Sequence, residues 1–308
     1  MVRQAHHERL SRKVYSINNT CYFNYCKGMN MNLFTLAQNL APQQTLSEVA
    51  GYLAKSQNPY IKRAFVHTFA KAYNIDLAEY ERGNLDDYES FNDFFTRELK
   101  SGMRPIDETA DGIACPADGK ISQIGAITNG QLLQAKGRDY DVGQLLADFE
   151  LSKAFVDGSF ATIYLAPTNY HRVHMPFDGT LVATRYVPGT LFSVNNTTAE
   201  NVPDLFARNE RLVCEFDTAF GRACVVLVGA MIVAGIESVA TGAIKRTPYI
   251  QHRTHDIMFK KGDELGRFYL GSTAIIVLPK SANAIWGDEF VHGKTVVMGQ
   301  RIGQVAKS

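Results

Sequence analysis

The stretch GRFYLGSTAIIVLP, from Gly266 to Pro279, holds the main clue to how this chain is organised. The sequences FYL at 268–270 and AIIVL at 274–278 favour a buried β-strand. Gly271 and Ser272 interrupt that strand. Glycine weakens a strand interior and marks a bulge, a bend or a close approach of two backbones. A plain β-bulge is the simplest interpretation of this Gly-Ser pair.

Length and composition indicate a globular chain with one large domain or two modest ones. The 308 residues are 45% hydrophobic and 20% charged, which is ordinary for a soluble protein. The net charge of +1 gives no strong field that would attract nucleic acid, so we expect no nucleic-acid partner. Five cysteines without a CxxC pair indicate reduced thiols rather than a disulfide framework.

No segment has the character of a signal peptide or of a membrane span. The polar start MVRQAHHERLSRKVYS is followed by no apolar segment. The longest apolar run, ACVVLVGAMIVAGI at 223–236, has 14 residues, which is short of the roughly 20 that a spanning helix needs. Its β-branched residues and two glycines predict two short buried strands.

Region 45–99 carries three helical signals. Thr45 and Glu48 have the spacing of a capping box, and Pro59 suits the first turn of a second helix. The second helix carries an apolar stripe with a four-residue repeat, Ile61, Phe65, Phe69 and Tyr73. Ser90 is the expected cap of a third segment, whose Phe91, Phe94, Phe95 and Leu99 share one face. These stripes pack on the rest of the protein or lie on a membrane surface.

From about residue 106 the sequence changes to short β-branched runs separated by turn pairs. The turn pairs are Asp118-Gly119, Asn129-Gly130, Asp157-Gly158, Asp178-Gly179 and Pro188-Gly189. Helical interludes are predicted at 142–155 and around 201–208. The sequence therefore predicts an α+β fold, in which an N-terminal helical layer is followed by a largely antiparallel β-rich catalytic domain.

Two pairs of histidines have the same three-residue spacing. His171 and His174 lie between two prolines, which favours a strand or a loop, whereas His252 and His255 lie in a polar, loop-like stretch. Four histidines suit a zinc site, but no cysteine or carboxylate completes either pair at a typical spacing. His171 and His174 could instead be a satisfied structural pair, or a general acid and base near neutral pH.

Asp118 also has two interpretations. Aspartate before glycine is common in turns. An aspartate can also orient a catalytic histidine and stabilise its charged form. The sequence leaves open whether Asp118 touches His174.

Ser272 could be the nucleophile of a hydrolase, although the chain contains no G-x-S-x-G elbow. It could instead attack the carbonyl of Gly271, because a residue without Cβ allows unusual backbone geometry and leaves its carbonyl open. The resulting ester would undergo β-elimination, which breaks the chain and leaves dehydroalanine. Hydrolysis of the dehydroalanine gives a pyruvoyl group and ammonia, so the protein would make its own carbonyl cofactor.

Six motifs occur in an order that resembles the bacterial type of the phosphatidylserine decarboxylase family. They are PADGKIS (116–122), QAKGRDY (134–140), YHRVHMP (170–176), VPGTLFSVN (187–195), DLFARNER (204–211) and GRFYLGST (266–273). FNDFFTRELKSGMRPID at 91–107 and VVMGQ at 296–300 also resemble the family. The resemblance covers roughly residue 32 to the end of the chain.

The resemblance implies three parts and one cleavage. Residues 1–30 are an unmatched leader, either a misassigned start or a disordered segment. Residues 31–105 are the N-terminal helical, membrane-proximal region, and residues 106–308 are the β-rich catalytic domain. Self-cleavage between Gly271 and Ser272 would give a β chain of 1–271 and an α chain of 272–308 that begins with the pyruvoyl group.

The implied activity is decarboxylation of phosphatidylserine to phosphatidylethanolamine, through a Schiff base with a pyruvoyl group that acts as the electron sink. Asp118, His174 and Ser272 match the family's self-cleavage triad. In that triad His174 takes the proton of Ser272, and Asp118 holds the imidazole.

Three further residues receive roles from the resemblance. His171 matches the position linked to binding of the substrate carboxylate and to proton delivery. Ser193 and Tyr164 are expected to line the headgroup pocket. The resemblance implies no metal and gives no role to His252 or His255.

The resemblance also implies a zymogen of phospholipid biosynthesis, a homodimer of αβ units, that acts on phosphatidylserine in the membrane. We expect it to lie peripherally on the cytoplasmic face of the bacterial inner membrane, with the helices of 45–99 as the contact. Two rivals keep the chain uncut: a serine hydrolase that uses Asp118, His174 and Ser272, and a membrane-surface binding protein in which Gly-Ser is only a bulge.

Overall fold

The computed structural model describes residues 43–230, 235–269 and 271–306. These residues fall within one compact unit that spans 42–308. The predictions made for residues 1–30 lie outside the described residues, and so do Cys21 and Cys26. The cysteines that are described, Cys115, Cys214 and Cys224, are free and buried, in line with reduced thiols.

From residue 43 onward, three helices precede the β-rich part: α1 Gln43–Ala54, α2 Pro59–Tyr73 and α3 Phe91–Phe95. Asn58 caps α2 ahead of Pro59, and the Ser90 hydroxyl accepts the N–H of Asp93 and caps α3, as predicted for Pro59 and Ser90. The capping box predicted at Thr45 is wrong, because α1 already includes Gln43. Residues 74–90 contain only a 3-10 turn, Leu85–Asp87, so region 45–99 is less helical than predicted.

The remainder is built mainly from strands with four short helices between them. The helices are α4 Val142–Leu146, α5 Phe149–Ser152, α6 Asn196–Asn201 and α7 Leu205–Arg208, with 3-10 turns at Lys153–Phe155 and Lys280–Ala282. The first strands are β1 Gly112–Ala114, β2 Gly119–Ala126, β3 Gln131–Ala135, β4 Arg138–Asp141, β5 Ser159–Leu165, β6 Arg172–His174, β7 Gly179–Val187 and β8 Arg211–Thr218. The others are β9 Gly221–Gly229, β10 Ile236–Ser238, β11 Gly242–Ala243, β12 Gln251–Phe259, β13 Glu264–Phe268, β14 Ser272–Leu278, β15 Ile285–Trp286, β16 Thr295–Val296 and β17 Arg301–Gln304. Both predicted helical interludes are confirmed.

The strands form one large sheet and three small ones. The main sheet has eight strands in the order β12-β7-β8-β9-β14-β5-β2-β16, and a four-stranded sheet has the order β11-β10-β13-β6. Strands β1, β17 and β15 form a third sheet, and β3 pairs with β4. The pairings in these sheets are antiparallel, which confirms the predicted α+β class.

Gly271 and Ser272 lie where the chain passes from one sheet to another. Strand β13 ends at Phe268 in the four-stranded sheet, and β14 begins at Ser272 in the main sheet. The interruption is therefore a boundary between two strands, and the simpler interpretation of a bulge within one strand is wrong.

The central strands of the main sheet are buried on both faces, which explains their unbroken apolar sequences. Ala274 and Ile276 of β14 belong to a core shared with β13 and β6. Ile275 and Val277 face a second core, which includes residues of α4 and α7. The run at 223–236 was predicted to form two buried strands; β9 confirms the first, whereas residues 231–234 lie outside the described residues and β10 begins only at Ile236. Within the described residues, no helix combines the length and apolar character needed to cross a bilayer.

Candidate active site

The predicted residues lie where four strands of the main sheet begin or end, and this end of the strands is called the edge below. Ser272, the first residue of β14, lies opposite Leu165 at the end of β5 and Gly229 at the end of β9. Strand β2 begins at Gly119, and its Lys120 lies opposite Tyr164 of β5. Because antiparallel neighbours begin where their partners end, Asp118 and Ser272 lie at the same edge of the sheet. The chain leaves β5 at this edge and turns into β6, which carries His174.

Gly119 permits close approach of two strands at this edge. A Cβ on Gly119 would lie 2.3 Å from the carbonyl oxygen of Tyr164, far inside van der Waals contact. The Asp118-Gly119 pair was predicted as a turn. Residues 116–118 form a bend, in line with that prediction, and Gly119 then begins β2, where its missing side chain lets β2 and β5 pack.

Ser272 and Gly271 have the geometry of an unsatisfied, unusual backbone site. Ser272 is completely buried, and its hydroxyl has no hydrogen-bond partner among the described residues. Buried hydroxyls are usually hydrogen-bonded, so the unpaired hydroxyl of Ser272 requires an explanation. Gly271 has φ of +23°, a region that side chains disfavour, and a Cβ there would meet no atom within 4 Å. There is thus open space beside the peptide bond that joins these two residues.

His174 is held at both ring nitrogens. Its Nδ1 lies 2.8 Å from the carbonyl oxygen of Gly262, and its Nε2 lies 3.0 Å from the hydroxyl of Tyr170. A carbonyl only accepts, so Nδ1 carries the hydrogen and Nε2 accepts from Tyr170. Burial lowers the pKa of His174, because the charged imidazolium loses its hydration. The ring is therefore neutral near pH 7, with its basic nitrogen directed at Tyr170.

Asp118 is engaged by an arginine. The Nε of Arg104 lies 3.0 and 3.1 Å from the two carboxylate oxygens of Asp118, and its Nη2 lies 2.7 Å from Oδ2. The N–H of Met298 donates to Oδ1 at 2.8 Å, and Glu79 accepts from Arg104. The hydrogen bonds to Asp118 raise the pKa of Arg104 further above its ordinary value.

Asp118 and His174 are neighbours without a direct hydrogen bond in the described structure. The backbone N–H of His174 donates to the carbonyl of Pro116 at 2.8 Å, which keeps the two segments together. The position on His174 that an orienting aspartate would occupy is taken by the carbonyl of Gly262. The role predicted for Asp118 therefore has no hydrogen bond behind it in this arrangement.

His171 is completely buried and has one free nitrogen. Its Nδ1 donates to the carbonyl of Asn169 at 2.8 Å, and its Nε2 has no partner among the described residues. The ring of Phe95 in α3 lies with its centroid 4.1 Å from that of His171. Burial lowers the pKa of His171 to about 3, so the ring is neutral and Nε2 presents a bare lone pair.

Tyr164 and Ser193 are connected to the same edge, Tyr164 through strand pairing and Ser193 through the hydrogen bonds of its neighbour Phe192. Tyr164 is half-buried on β5, opposite Thr273, and burial raises the pKa of its hydroxyl. Ser193 is half-buried in the segment between β7 and α6. The neighbouring Phe192 is bound by the side chain of Asn209, which also donates to the carbonyl of Gly229, the residue opposite Ser272.

His252 and His255 lie apart from this edge. They were predicted in a loop, but both belong to β12, the outer strand of the main sheet, whose β-branched and apolar residues pair with β7. His255 hydrogen-bonds Thr184 at 2.8 Å, and His252 is exposed. No group of three or more His, Cys, Asp or Glu side chains within the described ranges is arranged to hold a metal ion.

Sequence reasoning missed Arg104, Tyr170 and Phe95. All three lie within motifs already quoted, at 91–107 and 170–176, but nothing in their spacing indicated which histidine or carboxylate they would touch. Phe95 contacts His171 in a segment far along the chain and Arg104 contacts Asp118 14 positions on, whereas Tyr170 contacts His174 within a single motif.

Comparison with known proteins gives a consistent result. The family model described as phosphatidylserine decarboxylase matches residues 91–304, and a second model, described as PSD, matches residues 33–74. Phosphatidylserine decarboxylase proenzymes of Psychrobacter arcticus and Psychrobacter cryohalolentis are each 68% identical, over 88% and 89% of this chain and 98% and 99% of their own lengths. The proenzyme of Acinetobacter baumannii strain AYE is 57% identical over 89% of this chain and 97% of its own length.

Proposed function

This chain belongs to the phosphatidylserine decarboxylase family, and we propose the route by which it prepares itself to convert phosphatidylserine into phosphatidylethanolamine and carbon dioxide. The chain is a precursor that cuts itself between Gly271 and Ser272. Its new N-terminus then carries a pyruvoyl group at position 272. The word proenzyme in the relatives' names favours this route over an uncut serine hydrolase.

The cleavage begins with Ser272. Its Oγ bonds to the carbonyl carbon of Gly271 while its proton passes to Nε2 of His174. The C–N bond then breaks, the proton goes to the departing nitrogen, and an ester joins the two residues. Loss of the Cα proton of Ser272 with cleavage of the Oγ–Cβ bond frees the Gly271 carboxylate and leaves dehydroalanine. One water is added and one ammonia leaves, which produces the pyruvoyl group.

One observation carries this proposal: the junction of Gly271 and Ser272 is both unsatisfied and open. The buried hydroxyl of Ser272 has no competing partner among the described residues, and Gly271 has a left-handed φ with free space where a Cβ would stand. The neighbouring Thr273 is also buried without a partner, but it follows a residue with a side chain and lies inside β14. Among the residues that the structure describes, only Ser272 combines a buried, unpartnered hydroxyl with a preceding glycine.

We assign separate roles to the two histidines. His174 is the proton acceptor of the cleavage, because its neutral Nε2 is the basic nitrogen. Asp118 supports it from the adjacent segment, as a negative charge close to the imidazolium that forms. His171 serves decarboxylation, because its unpartnered Nε2 lies beside the sheet edge and is available to a group that enters later.

The pyruvoyl group supplies a conjugated carbonyl that accepts the electrons released with carbon dioxide. The surroundings fit a group at position 272, since Ser272 has an orphaned buried oxygen and adjoining open space. The bare Nε2 lone pair of His171 would first accept a proton there and then return it. Its pKa of about 3 disfavours lasting ionic binding of the substrate carboxylate, which would need a charged imidazole. Tyr164 and Ser193 would line the headgroup side.

Intact-mass measurement of the purified protein tests the proposal. We expect two chains split at 271/272, with the 37-residue chain lighter by one ammonia than a peptide that starts with serine. Ser272→Ala should remain one uncut chain without decarboxylase activity on phosphatidylserine vesicles. Thr273→Val, which removes the neighbouring buried hydroxyl, is the matched control and should still be cut. A folded wild-type chain of full-length mass would contradict the proposal.

The helices α1 and α2 are our candidate for contact with the membrane that holds the substrate. An apolar pocket of about 470 Å³ lies between them and α3, and its lining includes Ala54, Phe65, Phe69, Tyr73 and Phe91. Tyr52 and Tyr60 nearby are 80% and 86% exposed, as is typical of aromatic residues at a lipid interface. The homodimer and the cytoplasmic face of the inner membrane remain predictions from the resemblance.

Flotation with phosphatidylserine vesicles tests this contact. Tyr52→Asp/Tyr60→Asp should lower the bound fraction several-fold, while self-cleavage in solution stays unchanged. Phe69 is unsuitable for the test, because its ring packs on Phe91, Phe94 and Phe95. Tyr249→Asp is the control, because Tyr249 is 61% exposed in the segment before β12. Equal binding by both variants would remove α1 and α2 from the membrane contact.

A further inference from the structure

Tyr170 is the immediate neighbour of the basic nitrogen on which self-cleavage depends. We propose that its hydroxyl relays the proton of Ser272 to His174. This inference rests on the proposed self-cleavage and adds a residue to it. Tyr170 has no assigned role in the triad of Asp118, His174 and Ser272.

The hydrogen-bond pattern of His174 means that a proton reaches Nε2 through the Tyr170 hydroxyl. The Gly262 carbonyl fixes the hydrogen on Nδ1, so Nε2 has the only lone pair that can take a proton. The Tyr170 hydroxyl donates its single hydrogen to that lone pair at 3.0 Å. As long as this bond persists, any proton that reaches Nε2 comes from Tyr170.

Both hydroxyls have the capacity that a relay needs. The Tyr170 oxygen donates to His174 and accepts from no other described residue, so it has lone pairs free. The Ser272 hydroxyl is buried and has no partner in the described ranges. The relay requires one link in addition to the hydrogen bonds present: Ser272 Oγ donates to the Tyr170 oxygen, directly or through one water, when the reaction begins. The alternative, direct transfer to Nε2, first requires that a buried hydrogen bond be broken.

The proton count balances in both directions. As Ser272 Oγ bonds to the Gly271 carbonyl carbon, its O–H breaks and an O–H forms on Tyr170. At the same time the original Tyr170 O–H breaks and Nε2–H forms on His174. When the peptide C–N bond breaks, the reverse transfer returns a proton through Tyr170 to the departing nitrogen. Tyr170 ends each step as a neutral phenol.

The surroundings hold Tyr170 in place and keep it protonated. It is 4% exposed and packs in an apolar cluster with Tyr80 and Met298, and Met298 also donates to Asp118. Burial raises the pKa of Tyr170, because the phenolate would lose its hydration. A hydroxyl that keeps its proton to high pH can donate throughout the physiological range.

The charges that face Tyr170 are tied to one another and not to its hydroxyl. Arg172 pairs with Glu264 at 3.1 Å and with Glu98 at 3.5 Å, and Asp118 pairs with Arg104 at 2.7 Å. Removal of the Tyr170 hydroxyl therefore leaves these ion pairs as they are. An effect of that removal on cleavage is expected to act through His174.

Pulse-labelled chains from cell-free translation give the test, with conversion to the 37-residue chain followed over time. Tyr170→Phe should slow self-cleavage by about 100-fold or more, the range for a lost proton-transfer group. Tyr88→Phe is the matched control, because its buried hydroxyl bonds the carbonyl of Arg82 away from the site, and it should cut at the wild-type rate. Tyr170→Phe that cuts within threefold of wild type, or faster, would overturn the relay and leave the hydroxyl as a cap on His174.

A second measurement keeps the proposal testable if Tyr170→Phe fails to fold. Site-specific 3-fluorotyrosine at 170 keeps the hydroxyl and makes the phenol more acidic. In a relay, the phenol gives up one proton and takes another as Ser272 attacks, so its changed acidity should alter the cleavage rate at neutral pH several-fold. A rate equal to that of the unlabelled protein would overturn the relay. The wild-type masses test self-cleavage itself, so failure of that proposal is seen separately.

Discussion

His171 and His174 lie three residues apart in segment 170–174, but different parts of the molecule surround them. One set of surroundings, called the helical side here, is that of His171: the Phe95 ring of α3 lies on the imidazole, and Nε2 is unpartnered among the described residues. The other set, called the sheet side, is that of His174: the hydroxyl of Tyr170 and the carbonyl of Gly262 bind its two ring nitrogens. An odd spacing in an extended segment directs side chains to opposite faces, which allows this separation.

The difference indicates how one short motif can serve two reactions. A histidine whose nitrogens are both bound within the chain suits a reaction that the chain performs on itself. A histidine with a free lone pair suits a group that arrives later. We therefore expect the two histidines to separate experimentally into cleavage and turnover.

His174→Ala should have the largest effect, because it removes the proton acceptor. We expect self-cleavage to fall by about 10³-fold or more, so that the protein accumulates as one chain of full length. Gel analysis after expression and intact mass measure the cut fraction. His255→Ala, on the outer strand β12, is the control and should be cut normally. Normal cleavage of His174→Ala would refute the role of His174 as the proton acceptor of self-cleavage, and with it the separation of roles between the two histidines.

His171→Ala should cut at least partly yet lose turnover. We expect decarboxylation per cut chain to fall by about 100-fold, since the unpartnered lone pair of His171 Nε2, to which we assign the proton transfer, is gone. The cut fraction and the carbon dioxide released from phosphatidylserine vesicles are measured on the same preparation. Decarboxylation at the wild-type rate per cut chain would refute the role of His171. Complete loss of cleavage would show that the two histidines act together.

The sequence predicted those features of the fold that depend only on residues adjacent in the chain. Pro59 and Ser90 marked helix starts, and the β-branched runs after residue 106 marked strands, because caps and strand burial are written in adjacent residues. The prediction of helix over 74–90 was wrong, because this region contains only a 3-10 turn. An apolar stripe in the flanking helices does not show where the helix between them is replaced by turns. The interruption at Gly271 was recognised, but its meaning as a passage between two sheets depends on pairing with distant strands.

The candidate site was predictable as a set of residue types but not as a set of contacts. Resemblance supplied Asp118, His174 and Ser272, and the topology brings them to one edge. The pairing of Asp118 with Arg104 depends on side-chain geometry between two separate segments, and that of His174 with Tyr170 depends on how two side chains of one short segment are oriented. No periodicity encodes such contacts, so a sequence could not have revealed that His174 already has both nitrogens occupied.

The smallest expected effect is on the free energy of unfolding at acid pH. It tests the difference between the two histidines, because it depends directly on the burial of His171. The pKa of His171 is about 3 in the folded chain, whereas that of an unfolded histidine is about 6.5. The unfolded chain therefore binds more protons between these values. The stabilising effect is complete above pH 6.5 and is lost as the pH falls towards 3, with about 2 kcal/mol lost at pH 5.

The measurement compares Ser272→Ala, which stays uncut, with Ser272→Ala/His171→Leu. Urea unfolding at pH 7.5 and pH 5 gives the free energy of unfolding for each chain. The parent should lose about 2 kcal/mol more than the double variant between the two pH values, because only the parent has to protonate His171 on unfolding. His174 contributes with the same sign to both chains and cancels. Equal losses in the two chains would mean that His171 is hydrated or charged in the precursor, and the helical side would then no longer differ from the sheet side.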